Sequence, residues 1–178
     1  MAVAFLGARL EKLGVDAHVH SAGLLSPGRE VPDHALAVMV ARGYDTGAHR
    51  SRRLSAELVD PADLIVAMAR EQVEEIVSAH PEARERTFTL KELVRTAEHL
   101  GHRRPGEPVS VYVARLHGNR PPSSPPGDDD VDDPIGGPRS VYERTAVEID
   151  DLTTRLAHLL AGSGDGFSQG PRESVPRM

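Results

Sequence analysis

Cysteine is absent from this sequence of 178 residues. Its absence excludes disulfide bonds, thiolate metal sites and thiol nucleophiles within this polypeptide. Tryptophan is absent too, and aromatic residues make up only 3% of the chain. The hydrophobic residues, 39% of the total, therefore have to build a core mainly from Ala, Val, Leu and Ile.

Positive net charge and long apolar runs are also absent. The formal net charge is -6, which disfavours general nucleic-acid binding because phosphate backbones attract basic surfaces. No apolar run reaches the roughly 20 residues that a membrane-spanning helix needs, and no charged-then-apolar secretory signal is recognisable. We therefore expect a cytoplasmic protein with no nucleic-acid partner and no membrane partner.

Apolar residues at helical spacing predict several helices. The first covers residues 2–13 and stops at Gly14. A second begins with Asp33 as its N-cap and ends at Gly43. We expect Leu36, Met39 and Val40 to share its buried face. Others are predicted over 70–80, over 91–100 and at the end of the domain. The last has apolar-face positions Thr145, Ile149, Leu152, Leu156 and Leu159.

Three segments are typical of strands. Residues 15–21 alternate apolar and polar side chains, which predicts a half-exposed edge strand. The apolar run at 63–68 favours a strand covered on both faces, and 87–90 favours a short one. This order predicts an α/β three-layer sandwich with a small parallel sheet. Because three strands make a thin sheet, we expect a central first strand to be missing.

The composition changes after Gly101. Pro and Gly accumulate up to about residue 130, which predicts a mostly irregular insertion at 101–130 with a short helical turn at VSVYVARL. The polar, Gly- and Pro-rich segment at 162–178 predicts a disordered tail. We therefore expect one domain at 1–161 followed by that tail.

Several stretches together resemble the low-molecular-weight protein-tyrosine phosphatases. They are HSAG (20–23), GREVPDHALAVMVARGYD (28–45), HRSRRLS (49–55), DLIVAM (63–68) and DDPIGGPRSVYERT (132–145). In that family a central first strand and a Cys-x5-Arg phosphate loop precede the first helix, and the start MAVAFL is similar to the residues just after that loop. The resemblance thus implies that the strand and the loop are missing from this chain, and that the chain as it stands is inactive.

The resemblance also implies a reaction. Phosphomonoesters are hydrolysed through a phosphocysteine intermediate, and the implied general acid is Asp133, with Pro134 fixing the backbone after it. The substrate would be a phosphorylated protein, and no cofactor or metal is implied. Tyrosine-specific members carry aromatics after Asp-Pro, where this chain has Ile135 and Gly136. Phosphoarginine-directed relatives resemble this Asp-Pro-x-Gly-Gly pattern, so a phosphoarginine substrate stays an alternative.

Other residue clusters have ordinary interpretations. Asp16, His18 and His20 share one strand face, but neighbours on a flat strand converge poorly on a metal ion, so we interpret them as surface residues. The acidic run DDDVDD (128–133) favours an approach to a turn over a divalent-ion site. Ser21 suits either support for the missing loop or a hydrogen bond at a strand end.

Two alternative functions remain open. A non-catalytic relative would bind phosphoproteins through Arg50, Arg52 and Arg53, although such clusters more often form solvated loops or ion pairs. A thiol-based arsenate reductase shares the architecture but needs cysteine, so the Asp-Pro motif favours a phosphatase.

Overall fold

The computed structural model describes residues 1–121, 125 and 127–162. Two short strands and seven α-helices are assigned in these ranges, with one 3₁₀ helix at Pro81–Arg86. The helices are α1 (Ala2–Lys12), α2 (Asp33–Val40), α3 (Ala56–Val59), α4 (Arg70–Ala79), α5 (Leu90–Leu100), α6 (Val109–Gly118) and α7 (Arg139–Ala161). The strands are β1 (Ile65–Ala67) and β2 (Thr87–Thr89).

The two strands pair in parallel, with Val66 opposite Phe88. Helix α4 and the 3₁₀ helix form the crossover between them, as a parallel pair requires. All three residues of β2 are buried, so this strand lies inside the molecule. The strands predicted at 63–68 and 87–90 are therefore confirmed, each shortened to three residues.

Helices cover both faces of this sheet. Val66 and Phe88 pack into a large apolar cluster built mainly from α1, α2, α5, α6 and α7. Ala67 and Ile65 lie on the other side, in a small cluster with α4, because successive strand side chains point to opposite faces. The three layers of helix, sheet and helix confirm the predicted α/β class with a small parallel sheet.

The first and last helices form much of the large cluster. In α1, Phe5 and Leu10 are buried, and the Arg9 guanidinium pairs with Asp150 of α7. All five apolar-face positions predicted for the last helix are buried in α7. The helical spacing thus predicted both elements correctly, with the end of α1 within one residue.

The edge strand predicted at 15–21 is wrong. Residues 15–22 are assigned to no strand, and the nearest pairing is an isolated bridge between Gly23 and Arg53. Alternation fixes which way side chains face, but a strand also needs a neighbour that offers backbone N–H and C=O groups. Within the described residues the sheet consists of β1 and β2, and Val15 and Val19 pack against the large cluster instead.

The predicted buried face of α2 is also partly wrong. Val40 is 57% exposed, whereas Val38 is fully buried beside Met39. Asp33 is the first helical residue and Pro32 is the N-cap. The helix ends three residues before Gly43, whose φ of +83° accommodates the turn that follows.

In the insertion predicted at 101–130, the short helical turn expected at VSVYVARL is a longer helix, and the other described residues are assigned to no helix or strand. Helix α6 is ten residues long, and its Tyr112 and Leu116 are fully buried in the large cluster. The Arg103 N–H donates to the Leu159 carbonyl of α7 at 2.9 Å. Helix α6 therefore belongs to the core, although its flanks are rich in proline and glycine.

Two further expectations concern the end of the domain and the absence of a membrane-spanning helix. The disordered tail predicted at 162–178 lies outside the described residues except for Gly162, which follows α7. The domain limit near residue 161 stays a prediction. Over the ranges that the structure describes, no helix combines the length and the apolar character needed to cross a bilayer.

Candidate active site

The site predicted from the Asp-Pro motif lies at the carboxyl edge of the sheet. Because β1 and β2 are parallel and Ala67 is level with Thr89, both strands end at the same edge. Helix α4 begins at Arg70, just beyond β1, and α5 follows β2 directly at Leu90. In open α/β sheets this edge is where ligands generally bind.

The acid loop, defined here as residues 127–137, is tied to this edge. The Val131 N–H donates to the Met68 carbonyl at 2.7 Å, directly after β1. The Arg70 N–H donates to Asp130 Oδ1 at 2.7 Å. The Val131 side chain is 5% exposed and belongs to the large cluster. Asp133 is thereby placed two residues from a backbone contact with the end of β1.

Asp133 itself is exposed to solvent. Its Oδ1 accepts a hydrogen bond from the Ile135 N–H at 3.0 Å, which forms a tight Asx turn. The Gly137 N–H then donates to the Pro134 carbonyl at 2.9 Å. A Cβ at Gly137 would lie 3.1 Å from that carbonyl oxygen. The loop is thus compact around a carboxylate that solvent and a substrate can reach, as a proton donor requires.

A group of ion pairs lies behind the acid loop. Asp129 is 3% exposed, and each of its carboxylate oxygens contacts a guanidinium group. Oδ2 lies 2.9 Å from Arg70 Nη2, and Oδ1 lies 2.6 Å from Arg95 Nη1. The hydrogen bond to Asp129 raises the pKa of Arg95. In the sequence Asp129 is only one residue of an acidic run, and nothing there distinguishes it from its neighbours.

Glu92 extends this group of ion pairs toward α6. Its side chain is 6% exposed and lies 3.7 Å from Arg70 Nη1 and 3.8 Å from Arg120 Nη1. The Arg120 guanidinium stacks over the Phe88 ring at 3.8 Å and donates to the Thr87 carbonyl at 2.5 Å. Burial lowers the pKa of Arg120. The only sequence signal for this group was the Thr-x-x-Glu spacing of Thr89 and Glu92, a capping pattern.

The amino end of α1 is the second feature expected near the site. Met1 and Ala2 pack against the large cluster, and burial lowers the pKa of the Met1 α-amino group. A helix start offers unpaired N–H groups and a partial positive charge, which suit an anion when a loop precedes it. The chain contains no cysteine, so these residues supply no thiolate for attack on phosphorus.

Two of the three arginines considered for phosphoprotein binding, Arg50 and Arg52, donate hydrogen bonds to residues of nearby loops. Arg50 pairs with Glu30 at 2.9 Å and also donates to the His49 carbonyl. Arg52 donates to the Ser21 carbonyl at 3.2 Å, while its own carbonyl accepts from the Gly23 N–H. These bonds join the loop before α3 to the segment before α2. They favour the ordinary interpretation of Arg50 and Arg52 as structural.

The three residues considered for a metal site are all exposed. They are Asp16, His18 and His20, in the extended segment after α1. Over residues 1–121, 125 and 127–162, no group of three or more His, Asp or Glu side chains is arranged to hold a metal ion. The acid loop contributes its buried carboxylate to ion pairs with arginines.

Comparison with known proteins identifies the family. Residues 1–108, more than half of the chain, match the family model described as low molecular weight phosphotyrosine protein phosphatase.

The chain belongs to this phosphatase family.

Relatives of this chain include two proteins named protein-arginine-phosphatase. The one from Bacillus subtilis is 30% identical over 161 residues, which cover 90% of this chain and 87% of the relative. The one from Geobacillus stearothermophilus is 32% identical over 143 residues, covering 80% and 76%. The crystal structure of a low molecular weight protein tyrosine phosphatase from T. tengcongensis matches with a TM-score of 0.66 and 29% identity, over 87% and 86% of the two chains. The family and these names support a protein phosphatase.

Proposed function

We propose that this phosphatase-family chain carries the general acid of a phosphoprotein phosphatase and that Asp133 is that acid. The observation that supports this proposal most directly is the position of the Asp133–Pro134 loop. It is bonded through Val131 to the end of β1, at the edge of the sheet where α/β enzymes bind ligands. The Asp133 carboxylate is exposed there, so a bound phosphate ester can reach it.

The proposed reaction proceeds in two steps. A thiolate attacks phosphorus in line, the bond to the leaving oxygen or nitrogen breaks, and Asp133 gives its proton to that atom. Asp133 then takes a proton from water as the water attacks the phosphocysteine, which releases inorganic phosphate and restores the thiolate. Positioned proton transfer of this kind contributes about 10² to 10⁴ in rate.

The nucleophile has to come from outside this sequence, because the sequence contains no cysteine. We therefore propose that the chain as given is inactive and that the active protein carries a Cys-x5-Arg loop ahead of α1. The coverage of the relatives is compatible with this, since 13–24% of their length lies outside the matched region. A cytoplasmic location and a phosphorylated protein substrate go with this proposal.

Phosphoarginine is the substrate that the comparisons favour over phosphotyrosine. The two relatives that match over 80–90% of this chain are named protein-arginine-phosphatases, whereas those named low molecular weight protein-tyrosine-phosphatase match over 40% of it. The residue after the Asp-Pro pair is Ile135, which is 66% exposed, and two glycines follow it. An aliphatic side chain and two glycines give no aromatic wall for a phenyl ring. The alternative of a non-catalytic binder is disfavoured, because Arg50 and Arg52 already donate to loop acceptors.

The test measures phosphate release by three proteins: the chain as given, the protein with its native N-terminus purified from its own cells, and Asp133→Asn in the second form. We expect no hydrolysis of 4-nitrophenyl phosphate or phosphoarginine peptides by the first. The second should be active, and the substitution should lower its kcat about 10²- to 10⁴-fold.

Asp132→Asn is the matched control, because it removes the same charge one residue earlier outside the Asp-Pro pair. We expect it to retain most of the activity. Clear turnover by the chain as given would overturn the proposed external nucleophile. An equal loss in the Asp132 and Asp133 variants would overturn the assignment of the acid.

A further inference from the structure

We propose that Asp129 and Arg70 are positioning residues for the acid loop, and that their ion pair holds Asp133 at the edge of the sheet. This inference rests on the proposed function of Asp133. It adds two residues that the Asp-Pro motif does not include. They are Asp129, in the acid loop, and Arg70, in helix α4. The geometry at the start of α4 carries it.

Arg70 contacts the acid loop in two ways. Its backbone N–H donates to Asp130 Oδ1 at 2.7 Å, and its guanidinium Nη2 lies 2.9 Å from Asp129 Oδ2. Arg70 is the first residue of α4, so that N–H is one of the donors that the helix itself leaves without a partner. A carboxylate at this position is also favoured by the helix dipole. The acid loop thus caps α4, although 60 residues separate the two partners.

Asp129 holds the same loop through its buried side chain. Its carboxylate is 3% exposed and is held between Arg70 of α4 and Arg95 of α5. Displacing this buried carboxylate from its two guanidinium partners is costly, because it would leave a desolvated charge without a partner. Together with the Val131–Met68 bond, these contacts anchor three consecutive residues. The next two residues are Asp132 and Asp133.

The anchor matters for a proton donor because its position decides its rate contribution. A misplacement of about 1 Å can cost on the order of 10²-fold in rate. Asp133 is exposed, and within the acid loop its side chain bonds to the neighbouring Ile135 N–H. Residues 129–131 therefore hold it on the side of the sheet, and Thr145 of α7, whose hydroxyl donates to the Asp132 carbonyl at 3.4 Å, holds it on the other side. We expect loosening of that anchor to weaken proton donation while substrate binding persists.

The first experiment follows hydrogen exchange of backbone amides in the chain as given. In Asp129→Asn, we expect the Val131 and Arg70 amides to exchange at least about tenfold faster, because loss of the ion pair frees the loop. Amides in the middle of α7 should be unchanged. Asp128→Asn is the matched control, since Asp128 is exposed and its loss removes the same charge from the adjacent residue. Unchanged exchange of Val131 in Asp129→Asn would overturn the inference.

The second experiment uses the active protein with its native N-terminus and two phosphate esters. With phenyl phosphate, whose leaving group needs protonation, Asp129→Asn should slow the release of the leaving group in the first turnover by roughly tenfold or more. With 4-nitrophenyl phosphate, whose leaving group needs it less, this loss should be small, and the ester concentration that half-saturates the step should hold for both. In an Asp133→Asn background, Asp129→Asn should cause no further loss.

These readouts separate positioning from general destabilisation. Equal losses in first-turnover release with both esters, or losses that add in the double variant, would overturn the positioning role. Arg70→Lys keeps the charge and the backbone N–H, and we expect it to retain more activity than Arg70→Met. If the native protein hydrolyses neither ester and no phosphoarginine peptide, the proposed function fails, while the exchange experiment still decides whether the ion pair anchors the loop.

Discussion

The two faces of the sheet are packed very differently. The large cluster contains ten residues that are 0% exposed, among them Phe5, Phe88 and Leu156. In the small cluster, Ala67, Val73, Ile76 and Val77 are each 4–8% exposed, and their apolar neighbours are only partly buried. Helix α4, which carries Arg70, belongs to the small cluster. The Arg70 part of the proposed anchor therefore lies on the more loosely packed side of the sheet, whereas Val131 of the acid loop packs into the large cluster.

The largest loss of stability is expected when a central side chain of the large cluster is truncated. Leu156 of α7 is 0% exposed, and Leu156→Ala leaves a cavity between helices that cannot close around it. We expect a loss of about 2–5 kcal/mol in the free energy of unfolding, measured by urea denaturation. A loss below 1 kcal/mol would show that α7 does not hold this cluster together.

The matched change on the small face is Ile76→Ala. Ile76 of α4 is 7% exposed, and its partly exposed neighbours can relax into the space left behind. We expect a loss of about 2 kcal/mol, at the low end of the range for such truncations. The same denaturation experiment compares the two variants. A loss for Ile76→Ala equal to or larger than that for Leu156→Ala would contradict the difference between the faces.

The stability of the protein at alkaline pH tests how completely the large cluster excludes water. Burial raises the pKa of Tyr112 to about 12, and its hydroxyl donates to the Gly101 carbonyl at 2.8 Å. The folded state favours the neutral phenol, so this contribution to stability is full below pH 10 and is lost as the pH rises toward about 12. We expect thermal stability to fall in that window.

The control for this titration is Tyr112→Phe. It removes the ionising group, so it should flatten the fall in stability above pH 10, although it also removes the bond to Gly101. Absorbance of the phenolate at high pH follows the same group directly. Ionisation of all three tyrosines near pH 10 without unfolding would show that Tyr112 is accessible to water.

The smallest effect is expected from an ion pair on the outer surface of the large face. Arg155 of α7 contacts Glu98 of α5 through two hydrogen bonds of 2.7 Å and Asp151 at 3.0 Å. All three side chains are at least 42% exposed. Arg155→Gln should cost about 0.2–1 kcal/mol, and less at high salt. A cost above 2 kcal/mol would mean that charge, and not apolar burial alone, joins these helices.

The helices show how far sequence periodicity reaches. Helix α7 was predicted from its spacing because it is long, and each turn repeats the same evidence. Helix α6 was underestimated because proline and glycine on both sides suggested an irregular segment, while Tyr112 and Leu116 find partners only in the folded core. The strand predicted at 15–21 failed for the opposite reason. Its local pattern was sufficient, but a strand also depends on a partner elsewhere in the chain.

The residues of the candidate site also divide into one that the sequence predicted and others that only the fold brings together. Asp133 was predicted because the stretch that contains it, DDPIGGPRSVYERT, resembles the Asp-Pro loop of the phosphatase family. Asp129 was missed because its significance comes from Arg70 and Arg95, which are 59 and 34 residues away in the sequence. An acidic run gives no information about which of its carboxylates will be buried. Only the fold brings the three side chains together.

The parallel strand pair has a consequence for how the chain folds. Both strands and the crossover helix lie within residues 65–89, and α5 follows without an intervening loop. Contacts between residues close in sequence form quickly, since little chain entropy is lost when they close. We therefore expect this segment to be structured in the folding transition state, with α1 and α7 docking onto it afterwards. In φ-value measurements, substitutions at Val66 and Phe88 would then slow folding, whereas those in α1 would mainly speed unfolding.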